Sequence, residues 1–237
     1  RLEHLPRVAL VRLTPLEGVA MIAIACSLAL AFVRTGVPVT DWDAVTTHLA
    51  LPAAYAHAGR IAPVAMPAGL LPHAAHTLYT WAFYIGGERS AAQLAWFFAL
   101  LATGGVYAAA NEMAGRRAGL AAAALLATSP FFHYAAAVPG TSLLLTACAG
   151  AAVAALLAWQ RTGERGWRHA AALVTGLACG VAYGGYLLAV LLVVWIAWRR
   201  AGRRTVAGFA GLAMAAALPW LLHSATAAVS SGVSPAA

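Results

Sequence analysis

Apolar residues along this chain come in long blocks, and the turns between the blocks are short and carry arginine. Leu16 to Val33 is the first block long enough to cross a bilayer, since a helix needs about 20 apolar residues to do so. Ala91 to Ala110 is the second, and Gly119 to about Phe132 with Thr141 to Ala158 predicts a helical hairpin around Pro130 and Pro139. Residues 170–198 are long for one crossing and short for two. Gly176, Gly180 and Gly184 recur there every four residues, a spacing that lets helices approach closely or arises by chance in a glycine-rich apolar run. Val206 to Leu222 closes the series.

Composition and charge turn this pattern into a topology. The chain of 237 residues is 62% hydrophobic and 9% charged, with a mean hydropathy of +0.79, too apolar for a soluble domain. Its 15 basic residues are all arginine, and they sit in short clusters between apolar runs. That placement writes membrane topology rather than a nucleic-acid surface, so the net charge of +8 implies no nucleic acid. Arg199, Arg200, Arg203 and Arg204 belong on the side of Arg161, Arg165 and Arg168 if positive charge stays inside, so residues 170–198 make two short passes meeting near Gly184-Gly185. The expectation is an all-α, multi-pass protein of about seven transmembrane helices in one module, with the N-terminus cytoplasmic and a long first loop outside. A cleaved signal peptide ending near Ala29-Leu30-Ala31 is the competing reading of the first block. Cys26, Cys148 and Cys179 lie within apolar segments without paired spacing and read as small buried hydrophobes.

The outside loop, residues 35–87, holds the candidate chemistry. Only Arg34, Arg60 and Arg89 among the arginines fall on its side, and it carries Asp41 and Asp43, two of seven acidic residues in the chain. Charge beside hydrocarbon is costly, so such residues are functional candidates. Thr40 or Asp41 can cap a helix that Gly59 and Arg60 stop, and its acids would meet the positive end of the helix dipole. Asp41, His48 and Tyr55 fall seven apart on one stripe of that helix, which Pro52 would bend. A second helix, about His73 to Ile85, carries His76, Tyr79 and Phe83 along one face. Both helices also read as interfacial anchors, the acids being mere caps and the aromatics marking the headgroup level. His48, His57, His73 and His76 lack a distinctive metal spacing, so no metal and no cofactor is expected. There is no glycine-rich phosphate loop, nucleophile elbow, heptad pattern or internal repeat.

One order of motifs stands out. A crossing is followed by Asp-Trp-Asp-Ala-Val-Thr-Thr-His-Leu (41–49), Tyr55 and Gly59-Arg60-Ile61; an aromatic helix then ends in Gly86-Gly87-Glu88-Arg89. Next come a crossing closed by Gly115-Arg116-Arg117-Ala118 and the turn Ala127-Thr128-Ser129-Pro130. This order resembles the bacterial membrane glycosyltransferases related to protein O-mannosyltransferases, of the GT-C superfamily, from Leu16 to about Trp198. The resemblance implies transfer of a sugar from a polyprenyl-phosphate donor at the outer face of the bacterial cytoplasmic (inner) membrane, with membrane lipid around the site. It also implies a catalytic base in the first outside loop, carried by position to Asp43 with Asp41 beside it. Arg60 and Arg89, with His48, Tyr55, His73 and His76, are then the candidates for binding the donor. Two departures stand against this. Val138-Pro139-Gly140-Thr141 occupies the place of an acidic residue in relatives, and Ala182-Tyr183-Gly184 that of a lysine. Relatives are also longer. The alternative is a noncatalytic scaffold derived from the same module, whose partners are other membrane protein subunits. A transporter is a third option, with no charge near the middle of the short pair to support it.

Overall fold

A computed structural model describes residues 13–61, 72–199 and 202–230. Arg1, Arg7, Arg12, Pro63, Pro67, Arg200 and the C-terminal tail, on which parts of the expected topology rest, lie outside the described residues. The described residues are all-helical. Pro15–Arg34 (α1) starts in a capping box, in which the Thr14 hydroxyl accepts from the Glu17 amide and the Glu17 carboxylate accepts from the Thr14 amide at 2.8 Å. A π-helical turn, Ala44–Leu49, leads into Ala50–Ala58 (α2). The helices Ala74–Ala114 (α3), Arg116–Ala127 (α4), Pro130–Ala135 (α5), Ser142–Thr162 (α6), Arg165–Val181 (α7), Gly184–Trp198 (α8) and Arg203–Ser230 (α9) follow.

Four of these helices, α1, α3, α6 and Arg203–Thr226 of α9, are long and apolar enough to cross a membrane. The expected count of about seven crossings is therefore met, by length and composition, only in these four among the described residues. The physical reason is length. α4 has 12 residues, α7 has 17 and α8 has 15. At about 1.5 Å per residue each is shorter than the ~30 Å of hydrocarbon. The block from Gly119 to Phe132 is broken because Thr128 ends α4 and the Ser129 hydroxyl caps α5, accepting from the Phe132 amide at 3.2 Å. The second interfacial helix differs from expectation in the opposite sense, since it runs on into the next crossing as one 41-residue helix. Gly86 and Gly87 kink it, and Gly87 sits at φ 64°, a conformation open to glycine at little cost.

Small residues let the long helices touch. A Cβ on Gly150 would lie 2.4 Å from the carbonyl carbon of Gly105, so α3 and α6 cross backbone to backbone. Gly176 and Gly180, two of the glycines with fourfold spacing, meet α9 at the Ala213 carbonyl and the Trp220 ring. Gly185 packs on the Ala178 carbonyl and closes the hairpin of α7 and α8. Cys148 and Cys179 are buried, but Cys26 is exposed, which departs from its reading as a buried hydrophobe because α1 turns most of its surface outward.

The polar groups gather at two ends. At one, buried Glu17 receives the Arg116 guanidinium at 2.7 Å, Arg161 pairs with Glu112 at 3.1 Å, and Arg199 donates to Gln160 at 3.3 Å. At the other lie Asp41, Asp43 and the histidines. The Trp96 indole bonds the Leu28 carbonyl at 2.8 Å and pins α1 to α3 between them.

Replacing Gly150 by alanine should lower the melting temperature in detergent, at a cost of about 1–3 kcal/mol for overpacking a contact that is all backbone. Gly104→Ala is the control, because nothing lies within 4 Å of a Cβ there. Equal melting temperatures for the two variants would overturn the close crossing of α3 and α6.

Candidate functional site

The site begins where α1 ends. Beyond Arg34 the chain turns, and the Val39 amide donates to the Glu88 carboxylate at 2.7 Å, tying the segment to α3 just past its kink. Asp41 then acts as a cap, its Oδ1 accepting from the Ala44 amide at 2.8 Å. Its Oδ2 accepts from the Tyr134 hydroxyl of α5 in a short hydrogen bond. That bond, and next the Ala44 amide, hold the Asp41 carboxyl below the usual carboxylate value of 3.8. The same bond holds the Tyr134 hydroxyl above its ordinary value. Asp41 is thus an ionised residue committed to structure.

Asp43 is different. Its side chain is 65% exposed, and His48 Nε2 lies 3.5 Å from its carboxylate. His48 is 13% exposed, and its Nδ1 meets His76 Nε2 at 3.0 Å. Burial holds the His48 imidazole below its ordinary value, while Asp43 and Asp41 pull it back up. The start of α3 continues the pattern, since Tyr55 of α2 bonds His73 Nδ1 through its hydroxyl at 3.2 Å. Burial pushes the Tyr55 hydroxyl up to about 12. His48 and Tyr55 on one helical segment therefore face His76 and His73 on the next, in antiparallel order.

Asp41, Asp43 and His48 form one wall of a cleft of about 180 Å³. The far wall is Val138 to Leu143, the entry to α6, and Tyr79, Phe98, Phe131 and Tyr134 close the sides. Tyr79 fixes the far wall by donating to the Gly140 carbonyl at 2.8 Å and accepting from the Gly140 amide at 3.0 Å. A second groove of about 290 Å³ shares Asp41, Tyr134 and Val138 with the cleft and is lined also by Arg34. The Arg34 guanidinium is aimed by the His133 carbonyl, to which it donates at 2.8 Å. Each space falls below the ~300–1,000 Å³ of common ligand sites, and the hydrogen-bonded pair of Asp41 and Tyr134 stands between them.

The structure brings Asp41, Asp43 and His48 into the cleft and places Tyr55, His73 and His76 directly behind it, His73 and His76 fully buried. Arg60 and Arg89 lie elsewhere. Arg60 lines a groove with Tyr55, Trp81 and Tyr84, and Arg89 one with Glu88 and Thr35. Sequence reasoning missed Tyr134 and the place of Arg34 in the groove beside the cleft, and it missed His223, whose ring packs edge-on against His73 at 4.4 Å. Tyr134 and His223 are far from the loop in sequence, and no local spacing points to them. Among the described residues no three His, Cys, Asp or Glu side chains converge as metal ligands. Comparison of the chain with protein-family models, with curated proteins and with solved structures finds no match.

Tyr134→Phe should return the Asp41 carboxyl toward its ordinary value. A depressed carboxyl stabilises the fold above its unfolded value, and that stabilisation is lost as the pH falls through the folded value. Thermal unfolding should therefore show the variant less stable than wild type at pH 7, with the gap narrowing toward pH 3. A gap independent of pH would show that the tyrosine acts by packing alone.

Proposed function

We propose that the chain is a membrane glycosyltransferase module that moves a sugar from a polyprenyl-phosphate donor to an acceptor hydroxyl at the outer face of a bacterial cytoplasmic membrane. The observation that carries this reading is one exposed carboxylate, Asp43, approached only at its edge by His48, in a cleft whose neighbouring groove holds a guanidinium, Arg34. Asp43 takes the proton of the acceptor hydroxyl as its oxygen bonds to the anomeric carbon, and the bond from that carbon to the lipid phosphate breaks. The phosphate leaves as an anion, and Arg34 is the cation best placed to meet it. Asp41 holds the wall through Tyr134 and the Ala44 amide. His48, Tyr55, His73 and His76 support it from behind, and Arg60 and Arg89 line other grooves rather than the cleft.

The segregation of polar groups supports the orientation. Arg116, Arg161 and Arg199 share the end opposite Asp41, so by the positive-inside rule the cleft faces outward. In this reading α4 and α5 together make one pass, from Arg116 beside Glu17 to Tyr134 beside Asp41. The hairpin of α7 and α8 then makes two short ones, giving about seven.

A second reading is a noncatalytic scaffold subunit of a larger membrane complex. It is favoured by the far wall of the cleft, where Val138, Pro139, Gly140 and Thr141 put no acidic side chain opposite Asp43.

Asp43→Asn separates the two. In membranes supplied with a polyprenyl-phosphate sugar and an acceptor, it should lower transfer at least about 10²-fold, the usual worth of a general base, without changing insertion or elution in detergent. Full transfer by the variant would sink the assignment, and wild-type protein that transfers nothing yet co-purifies with other membrane subunits in fixed ratio would establish the scaffold.

A further inference from the structure

The fold solves a specific difficulty for Asp43, whose exposed carboxylate is free to turn in solvent while a base must be held within a narrow range of orientation. We propose that His48, braced by the buried His76, is a positioning residue that holds the Asp43 carboxylate at the cleft. The proposal rests on the reading of Asp43 as the base.

The backbone supplies the first reason. Residues five apart on an α-helix point about 140° away from each other, at 100° per residue. Ala44–Leu49 is π-helical, and a turn closed from i to i+5 is wide enough to bring residues five apart toward the same face. Asp43 immediately precedes that turn and His48 lies within it, so the wider turn is what brings His48 Nε2 to 3.5 Å from the carboxylate. Pro52, which lacks an amide proton, lies one turn on and cannot bond the carbonyl of residue 48 as an α-helix would require.

The second reason is what stands behind the ring. His48 and His76 stack at 5.1 Å between centroids with planes 19° apart, and their Nδ1 and Nε2 atoms are 3.0 Å apart. His76 is fully buried and packs edge-on against His73, which is held in turn by the Tyr55 hydroxyl and the His223 ring. His48 is thus held on its Nδ1 side, with Nε2 left toward Asp43. The groups facing it are Asp43 and Asp41 from its own segment and His76 from α3. A carboxylate can only accept, so Asp43 beside His48 Nε2 favours the His48 proton on Nε2, which leaves Nδ1 to accept from His76 Nε2. Such a ring is a fixed donor, and the neighbouring imidazole braces it as second-layer partners do for other functional histidines.

The test uses the full chain in lipid nanodiscs and has two readouts. In ¹⁵N-histidine spectra His48 should carry its proton on Nε2, and Asp43→Asn should shift its resonances more than those of His133. In transfer assays His48→Leu should lower kcat about 10²-fold with KM little changed, the usual cost of a misplaced catalytic group. His48→Gln, which can still offer an N–H near the Nε2 position, should recover most of the loss, and adding His76→Leu to His48→Leu should cost little more. A proton on Nδ1, spectra indifferent to Asp43→Asn, or wild-type kcat in His48→Leu would each overturn the inference and leave His48 as packing. Full transfer by Asp43→Asn, or none by wild type, would instead sink the glycosyltransferase reading, and the spectra would still decide the contact between His48 and Asp43.

Discussion

The structure depends on one constraint, that a chain so apolar has few places where a polar side chain can be left without a partner. In hydrocarbon an unmet polar group costs several kcal/mol, so polar residues in such a bundle are paired, buried against each other or moved to its ends. Glu17 illustrates the first solution, since it is buried near the start of α1 yet holds the Arg116 guanidinium and caps its own helix. His48, His73 and His76 illustrate the second, with Tyr55 completing the set. Asp43 illustrates the third, since it lies at an end of the bundle, lines a cleft and stays exposed although His48 approaches it.

Local backbone irregularity does much of the positioning. The kink at Gly86 and Gly87 lets one helix serve two purposes: its first part presents His76 and Tyr79 to the site, and its second part packs on α6. The π-helical turn plays the same role for Asp43 and His48, which a regular helix would separate. The break at Ser129 turns α5 so that Tyr134 reaches Asp41. In each case the departure from regular geometry lies where polar groups from distant segments meet. An unbroken helix would fill space more simply and place none of them.

Much of the fold was legible from hydrophobic blocks, because an apolar stretch of bilayer length has few other uses. α1 and α6 came out close to their observed ends, and the segregation of arginines marked one end of the bundle. Legibility failed where a helix was short or a break was subtle. The turn from Ala127 to Pro130 was legible, but nothing around it says that a separate short helix follows, and the aromatic helix and the crossing after it looked separate because two glycines suggest a stop. Asp41, Asp43 and His48 were readable as a group since they lie within eight residues of one another.

The sequence by itself determined that this is an all-α chain with helices able to span a membrane, and that two of its seven acids and four of its eight histidines lie in one loop. Those properties are written in composition and local order, which do not depend on how helices pack. Only the tertiary structure decided which acid is bound and which stays exposed, because Tyr134 lies 93 positions from Asp41. It also decided that Arg34, and not Arg60 or Arg89, lines the groove beside the cleft. The direction of a guanidinium is set by the helices around it, here by a carbonyl of α5, and no spacing along the chain records that.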